Sequence, residues 1–196
     1  MIILNHLELF TDGGAIRIGN TFYGSSAYVI KYQKKYITSY SAAEKGTNNY
    51  FELKAIRDGL RKIIRSWKCD DNLEVWIISD SEYAIKSITQ WSRNYKKVNG
   101  VYYTSTGRPV ANIDLILEIQ DILKQINNYR FIKVRSHIST NLEKTFKEFV
   151  KYNRINMSYT DYLILIRFNE LCDENIRKAI NMKRKGIAMK GGKWFV

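Results

Sequence analysis

Carboxylates recur in this chain in settings where acids are costly. Asp12 closes the run "HLELFTD" and is followed by Gly13-Gly14, and Asp80 closes a second run in "IISDSEYAI". Both runs read as central, adjacent strands, and open α/β sheets hold their ligands at the C-terminal ends of such strands. Glu52, in "TNNYFELKAI", falls in the first turn of a helix. At about 100° per residue it lies on the margin of that helix's apolar stripe, near Ile63. A carboxylate at the border of a core is unfavourable unless positive charge meets it. Three acids converging on one sheet end repel one another, and divalent cations make them tolerable. Donor sets made only of oxygen suit Mg²⁺ or Mn²⁺. Taken singly, each has a plainer reading: Asp12 as a turn residue before glycine, Asp80 as a helix cap. Further acids, Glu170, Asp173 and Glu174, stand in "FNELCDENIRKAI"; alone, that run reads as the solvated face of a helix.

The elements that must position these acids follow from hydrophobic periodicity. "HLELFTD" alternates, with Leu7 and Leu9 on one face and Glu8, Phe10 and Asp12 on the other. "GSSAYVIKY" and "KKYITSYS" continue it as an antiparallel meander. From about Asn49 to Trp67, Leu53, Ile56, Leu60, Ile63, Ile64 and Trp67 recur at helical spacing. "LEVWIIS" reads as a strand, then a helix from Ser81 to Trp91 with Ser81 as its N-cap. A loop rich in Lys, Tyr and Gly leads to the amphipathic "NIDLILEIQDILKQI" and the last strand, "YRFIKVRS". Two helices close the chain, over "LEKTFKEFVKYNR" and from about Ser158 to Ile180, with Ser158 and Asp161 at capping-box spacing. This order predicts an α/β fold with a mixed five-stranded sheet. Three antiparallel hairpin strands come first, then parallel strands, with helices packed on both faces.

With 196 residues, 45% of them hydrophobic, the chain fits a single folded domain. No apolar run approaches the roughly 20 residues that cross a bilayer. "MIILNHLELF" does not read as a secretory signal, so a cytoplasmic, non-secreted, membrane-free protein is expected. Cys69 and Cys172 have no metal-ligand pattern around them and read as free thiols. The net charge of +13 favours a polyanionic partner, with nucleic acid ahead of a membrane surface. Seven Lys or Arg and no acid follow Asn175, in a basic tail over about 181–196. That tail reads equally as a phosphate-binding segment or as a solubilising end.

"FTDGG", "TNNYFELKAI", "ISDSEYAI", "ITQW" with "NYKK", "NIDLI", "KVRSH" and "NELCDE" occur in the order found in type 1 ribonuclease H. The chain resembles that family over roughly residues 7–137 and 168–180. The resemblance implies a ribonuclease H-like fold and an enzyme that hydrolyses the RNA strand of RNA–DNA hybrids, leaving 5′-phosphate and 3′-hydroxyl ends. It implies two Mg²⁺ ions, with Mn²⁺ as a substitute, held by Asp12, Glu52, Asp80 and Asp173. Asp12 would bridge the ions, Asp173 would help hold the one that activates water, and Glu52 and Asp80 the one facing the leaving oxygen. His137 would assist proton transfer or product release. Gly13, Asn20, Thr47, Asn48, Asn49 and Glu82 would contact the nucleic acid, with Thr47 on a DNA phosphate and Asn48 and Asn49 on the minor groove and its ribose 2′-hydroxyls. Trp91, Arg93, Lys96 and Lys97 resemble the family's basic handle, although Trp91 is also placed to anchor the core at the helix end. No obligate protein partner is implied, and a monomer is expected.

The sequence departs from the family in several places. The loop after Asp12 keeps Gly13, Gly14 and Gly19-Asn20 but not the proline-punctuated glycine run, and Glu82 stands where a glutamine is frequent. His137 and Asp173 are 36 positions apart, where the family keeps the two close. Residues from about 139 to 167 therefore read as an insertion, with Asp161 as a reserve for the last acid should Asp173 prove misplaced. Two competing functions remain open: a non-catalytic nucleic-acid-binding module on the same fold, and a related-fold nuclease acting on structured DNA.

Overall fold

The computed structural model describes residues 5–135, 141–186 and 194–195. Its elements are β1 (Asn5–Ile18), β2 (Thr21–Tyr32), β3 (Lys35–Tyr40), β4 (Glu44–Lys45), α1 (Asn48–Ser66), β5 (Leu73–Ser79) and α2 (Glu82–Thr89). After a 3₁₀ turn (Trp91–Asn94) come β6 (Lys96–Val98), β7 (Val101–Tyr103), α3 (Ile113–Leu123), β8 (Asn128–Lys133), α4 (Leu142–Asn153), α5 (Tyr159–Arg184) and β9 (Trp194–Phe195). The main sheet runs β8-β5-β1-β2-β3-β9, with β4 added beside β2. β1, β2 and β3 pair antiparallel, while β1, β5 and β8 pair parallel. The mixed sheet predicted from the sequence is therefore present, extended by the two-residue strands β4 and β9.

Side-chain alternation divides the core into two layers. Leu7 and Leu9 of β1 face Leu53, Ile56, Leu60 and Ile63 of α1, with α3 contributing Ile116 and Ile119. Phe10 points the other way, into a layer with Phe149 of α4 and Tyr162, Leu165, Cys172 and Ile176 of α5. β5 is covered on both faces, which explains why "LEVWIIS" reads as a nearly continuous apolar run. Both helix starts expected from serine caps are capped: the Ser81 and Ser158 hydroxyls accept from Ala84 and Asp161 N–H groups. At the second, Asp161 accepts from the Ser158 hydroxyl at 2.6 Å. The capping box is thus rearranged, and Asp161 is committed to the cap.

Three expectations are corrected. Asp12 does not end its strand, because β1 continues through Gly13-Gly14 to a turn at Gly19-Asn20. What ends near Asp12 is the parallel ladder to β5, whose last pair is Thr11–Ser79. The basic loop after α2 is partly a hairpin: β6 and β7 pair around Asn99-Gly100, both at positive φ as a tight two-residue turn requires. The tail expected from 181 begins as helix, since α5 runs to Arg184, and Trp194–Phe195 pair with β3. Among the described residues no helix is long and apolar enough to cross a membrane, and both cysteines are free.

Candidate active site

Beyond Thr11 no strand among the described residues flanks β1 on the β5 side, so the backbone of Asp12–Ala15 has no ladder partner there among them. Open backbone groups need partners. The Gly13 N–H donates to Asp12 Oδ1 at 2.7 Å, and the Ala15 N–H donates to Asn48 Oδ1 at 3.2 Å. Asn48 stands at the start of α1 and its amide nitrogen also donates to Glu52 Oε1 at 3.4 Å. One asparagine thus ties the open strand to the helix that carries the buried acid. Thr47 caps α1 by accepting from the Tyr50 N–H.

Gly13 makes this approach possible. A Cβ there would lie 2.1 Å from the Glu52 nitrogen, so the first turn of α1 rests directly on the strand backbone. Alternation turns the next position the opposite way, and a Cβ on Gly14 would meet Ile176 of α5 at 2.9 Å. The paired glycines are sites of close approach on both faces of the sheet rather than a turn.

Asp12, Glu52 and Asp80 each bring a carboxylate oxygen to within 4.8 Å of the others. Asp80 follows the last residue of β5, and Ser81 takes the cap of α2, which leaves Asp80 outside that role. A cavity of about 260 Å³ is lined by these three acids together with Gly13, Gly14, Asn48, Asn169, Glu170, Asp173 and Ile176. Asp173 lines the same cavity from α5, one turn beyond Asn169, although it is not among the three acids whose oxygens converge, and Arg177 a further turn on pairs with it at 2.6 Å. Glu174 turns outward to Arg167 at 2.7 Å. With Asp173 on the cavity and Asp161 in its cap, the reserve acid has no place in the site.

The electrostatics are those of an acid cluster in which burial and mutual repulsion outweigh the one opposing cation, Arg177, that acts on Asp12 among the described residues. Burial first, then Asp80 and Asp173, push Asp12 up to about 8, against the opposing Gly13 N–H and Arg177. Burial, then Asp12 and Asp80, raise Glu52 well above the usual carboxylate range. Glu52 is 5% exposed, and its Oε2 has no hydrogen-bond partner among the described residues. An orphaned buried carboxylate oxygen beside two more acids fits a hard divalent cation, with every donor an oxygen. Asn169 also leaves a buried Oδ1 unpartnered. Sequence reasoning did not name it as a site residue, although its i,i+4 relation to Asp173 was legible.

The expected nucleic-acid contacts are not all brought to the cavity. Thr47 and Asn49 are exposed beside it at the start of α1. Asn20 is not near: it sits at the far tip of the β1–β2 hairpin, eight residues beyond Asp12 in sequence, and its side-chain Oδ1 accepts from the Arg17 guanidinium at 3.4 Å. Strand rise alone sets it roughly 20 Å away. Glu82 opens α2 and is paired with Lys86 and with Lys133 of β8, at 2.6 Å for the latter. Those hydrogen bonds, Lys133 first, pull it down to about 2. Trp91 is 42% exposed, with its ring edge-on to Tyr83, so it does not anchor the core. Arg93, Lys96 and Lys97 are exposed around the β6–β7 hairpin, and the Lys97 ammonium lies over the Tyr102 ring. His137 lies outside the described residues.

A five-strand mixed core, with helices on both faces and acids gathered where its parallel strands end, defines a ribonuclease H-like nuclease architecture. Solved folds of that class are similar to it. The solution structure of the PFV RNase H domain is 18% identical with a TM-score of 0.56, covering 88% of this chain and 93% of that one. LC11-RNase H1, isolated from compost, is 20% identical with a TM-score of 0.55, covering 91% and 98%. In sequence, a ribonuclease H of Actinobacillus succinogenes is 32% identical over 131 residues, 66% of this chain and 79% of the relative. A ribonuclease HI of Haemophilus influenzae is 30% identical over 128 residues, 65% and 77% of the two chains. The family described as RNase H matches residues 5–180, and the chain belongs to it. It is a nuclease of the hydrolase class, as the resemblance in its motifs implied.

Proposed function

We propose that this protein hydrolyses the RNA strand of RNA–DNA hybrids endonucleolytically, leaving 5′-phosphate and 3′-hydroxyl ends. Asp12, Glu52, Asp80 and Asp173 would hold two divalent ions, Mg²⁺ with Mn²⁺ as a substitute. When bound, the ions would neutralise the acids and stabilise the entering and departing oxygens of an in-line displacement. In that displacement a water oxygen forms a bond to phosphorus as the bond to the 3′ oxygen breaks. The observation that carries the reading is the convergence of three acids from β1, α1 and the end of β5, one with a buried oxygen left unpaired.

The protein's own groups have distinct tasks in this scheme. Gly13 and Asn48 hold Glu52 against β1, so the donor set is formed before any ligand arrives. Arg177 restrains Asp173, which it pairs from one turn away. Thr47 and Asn49, exposed at the start of α1, are suited to contact the backbone and the 2′-hydroxyls that distinguish RNA. The basic β6–β7 hairpin would hold the duplex by its phosphates with little sequence preference. His137 would move the proton at the leaving oxygen. We propose that the protein acts as a monomer, in the cytoplasm or wherever hybrids arise during replication, and that residues 139–167 are an insertion into a single domain.

Asp12→Asn tests the assignment. It is expected to abolish Mg²⁺-dependent cleavage of a labelled hybrid while leaving hybrid binding in Ca²⁺ buffer intact. Retained cleavage would refute it.

A further inference from the structure

The segment read as an insertion builds something of its own. Asn153, the last residue of α4, clasps the end of β8: its Oδ1 accepts from the Lys133 N–H at 2.9 Å, and its Nδ2 donates to the Lys133 carbonyl at 3.0 Å. Phe149 and Tyr162 close the joint from below, inside the α4–α5 layer. Between the strand end and the helix lies a cavity of about 510 Å³, larger than the one at the acids. Lys133, Arg135, Lys151 and Arg154 line it, with Tyr152 at the rim and Glu148 the one acid in its wall among the described residues.

Three observations point to an anionic occupant. Glu148 forms an ion pair with Arg135 at 2.9 Å, although its Oε2 accepts no hydrogen bond among the described residues, and Lys133 pairs with Glu82. Among the described residues no acid pairs with Lys151 or Arg154, so the wall keeps an excess of positive charge. Tyr162 is 1% exposed, yet its hydroxyl has no hydrogen-bond partner among the described residues. A buried donor on the wall of a basic cavity is unfavourable when empty-handed and favourable when an oxyanion accepts from it. Tyr152 is 65% exposed, an aromatic face held out beside these cations.

The position identifies the anion. Lys133 pairs with Ser79, and the Val134 N–H donates to the Ser79 carbonyl at 3.1 Å. Ser79 precedes Asp80, so the cavity sits at the end of the strand next to the one that leads into the acid cluster. We infer that the groove between the end of β8 and α4 binds a backbone phosphate of the same nucleic-acid strand that crosses the acids, with Tyr152 offering a stacking face to a neighbouring base. The inference rests on the proposed function only in taking nucleic acid as what crosses the acids.

The test is hybrid binding by fluorescence anisotropy in Ca²⁺ across a salt series, with Mg²⁺-dependent cleavage read separately. K151Q/R154Q is compared with K68Q/K124Q, which removes equal charge from connections at the opposite end of the sheet. The groove variant is expected to bind about five- to twenty-fold more weakly at 100 mM salt, with a salt slope shallower by about 1–2, and the control to stay near wild type. Tyr162→Phe is expected to weaken binding about three- to ten-fold without lowering the melting temperature. Equal losses in both double variants, or none in the groove variant while wild type binds and cleaves, would overturn the groove and leave the proposed function standing. Absence of cleavage by a wild-type protein that binds through the groove would defeat only the proposed function.

Discussion

Replacing Asp12 by Asn should make the metal-free protein more stable while removing its activity. Asp12 is half-buried beside Glu52 and Asp80, and its carboxyl is pushed up to about 8 from 3.8, burial being the largest cause. An acid raised in the folded state binds more protons there than in the unfolded chain. Its stabilising share is therefore complete below about pH 4 and lost as pH rises through about 8. Because pH 7 lies about three pH units above the unfolded value, ionising the folded group there costs, at about 1.4 kcal/mol per unit, an upper bound near 4 kcal/mol. Solvent penetration and relaxation lower this to roughly 1–3 kcal/mol. Asn keeps the shape and the oxygen that accepts from the Gly13 N–H at 2.7 Å, but not the charge. At about 2–4 °C per kcal/mol for a chain of this size, the variant should melt about 2–12 °C above wild type in EDTA at pH 7.5, and the gap should close near pH 4.5. Mg²⁺ should raise the wild-type melting temperature and leave the variant's nearly unmoved. The assay is differential scanning calorimetry at both pH values with and without Mg²⁺. A variant less stable than wild type at pH 7.5, or an offset equal at both pH values, would refute the reasoning.

Other perturbations probe the surrounding supports. Gly13→Ala should destabilise by about 1–3 kcal/mol in urea unfolding, because its Cβ would stand 2.1 Å from the Glu52 nitrogen on backbone that cannot yield cheaply. Asn48→Ala should lose about 1 kcal/mol and raise the Mg²⁺ concentration needed for half-maximal cleavage, since both the Ala15 N–H and Glu52 lose a partner. Glu82→Gln should release Lys86 and Lys133 and steepen the salt dependence of hybrid binding by about one unit of slope. Trp91→Ala should leave the melting temperature almost unchanged, as an exposed ring contributes little to the core, with any loss appearing in hybrid binding.

Much of the fold was legible because its long elements obey one period each. The α1 stripe, the doubly buried β5 and the serine caps follow from local rules, and all are present. The acids were legible from the same rules, since Glu52 on a stripe margin and Asp80 at a strand end needed only periodicity. What was not legible depends on tertiary contact. Gly13-Gly14 reads as a turn in a string of letters, whereas its glycines serve the close approach of α1 and α5 to a continuing strand. Asp173 was singled out from Glu170 and Glu174 only through the resemblance, because the rotation of α5 depends on its packing against the sheet through Leu165, Cys172 and Ile176, and that rotation leaves Glu170 on the cavity as well. The β6–β7 hairpin is a different case, since Asn99-Gly100 between apolar residues is a local signal that was passed over. Trp91 failed as a core anchor because α2 ends at Thr89 and the 3₁₀ turn swings the ring outward.

The central claim is that these acids serve hydrolysis of RNA paired to DNA. Labelled RNA–DNA, RNA–RNA and DNA–DNA duplexes of one sequence, incubated with wild-type protein and Mg²⁺ and resolved by length, address it most directly. The account predicts cleavage of the RNA strand in the hybrid alone, with 5′-phosphate and 3′-hydroxyl ends and none in EDTA. Cleavage confined to DNA, or none in any duplex by a folded protein that binds them, would contradict it.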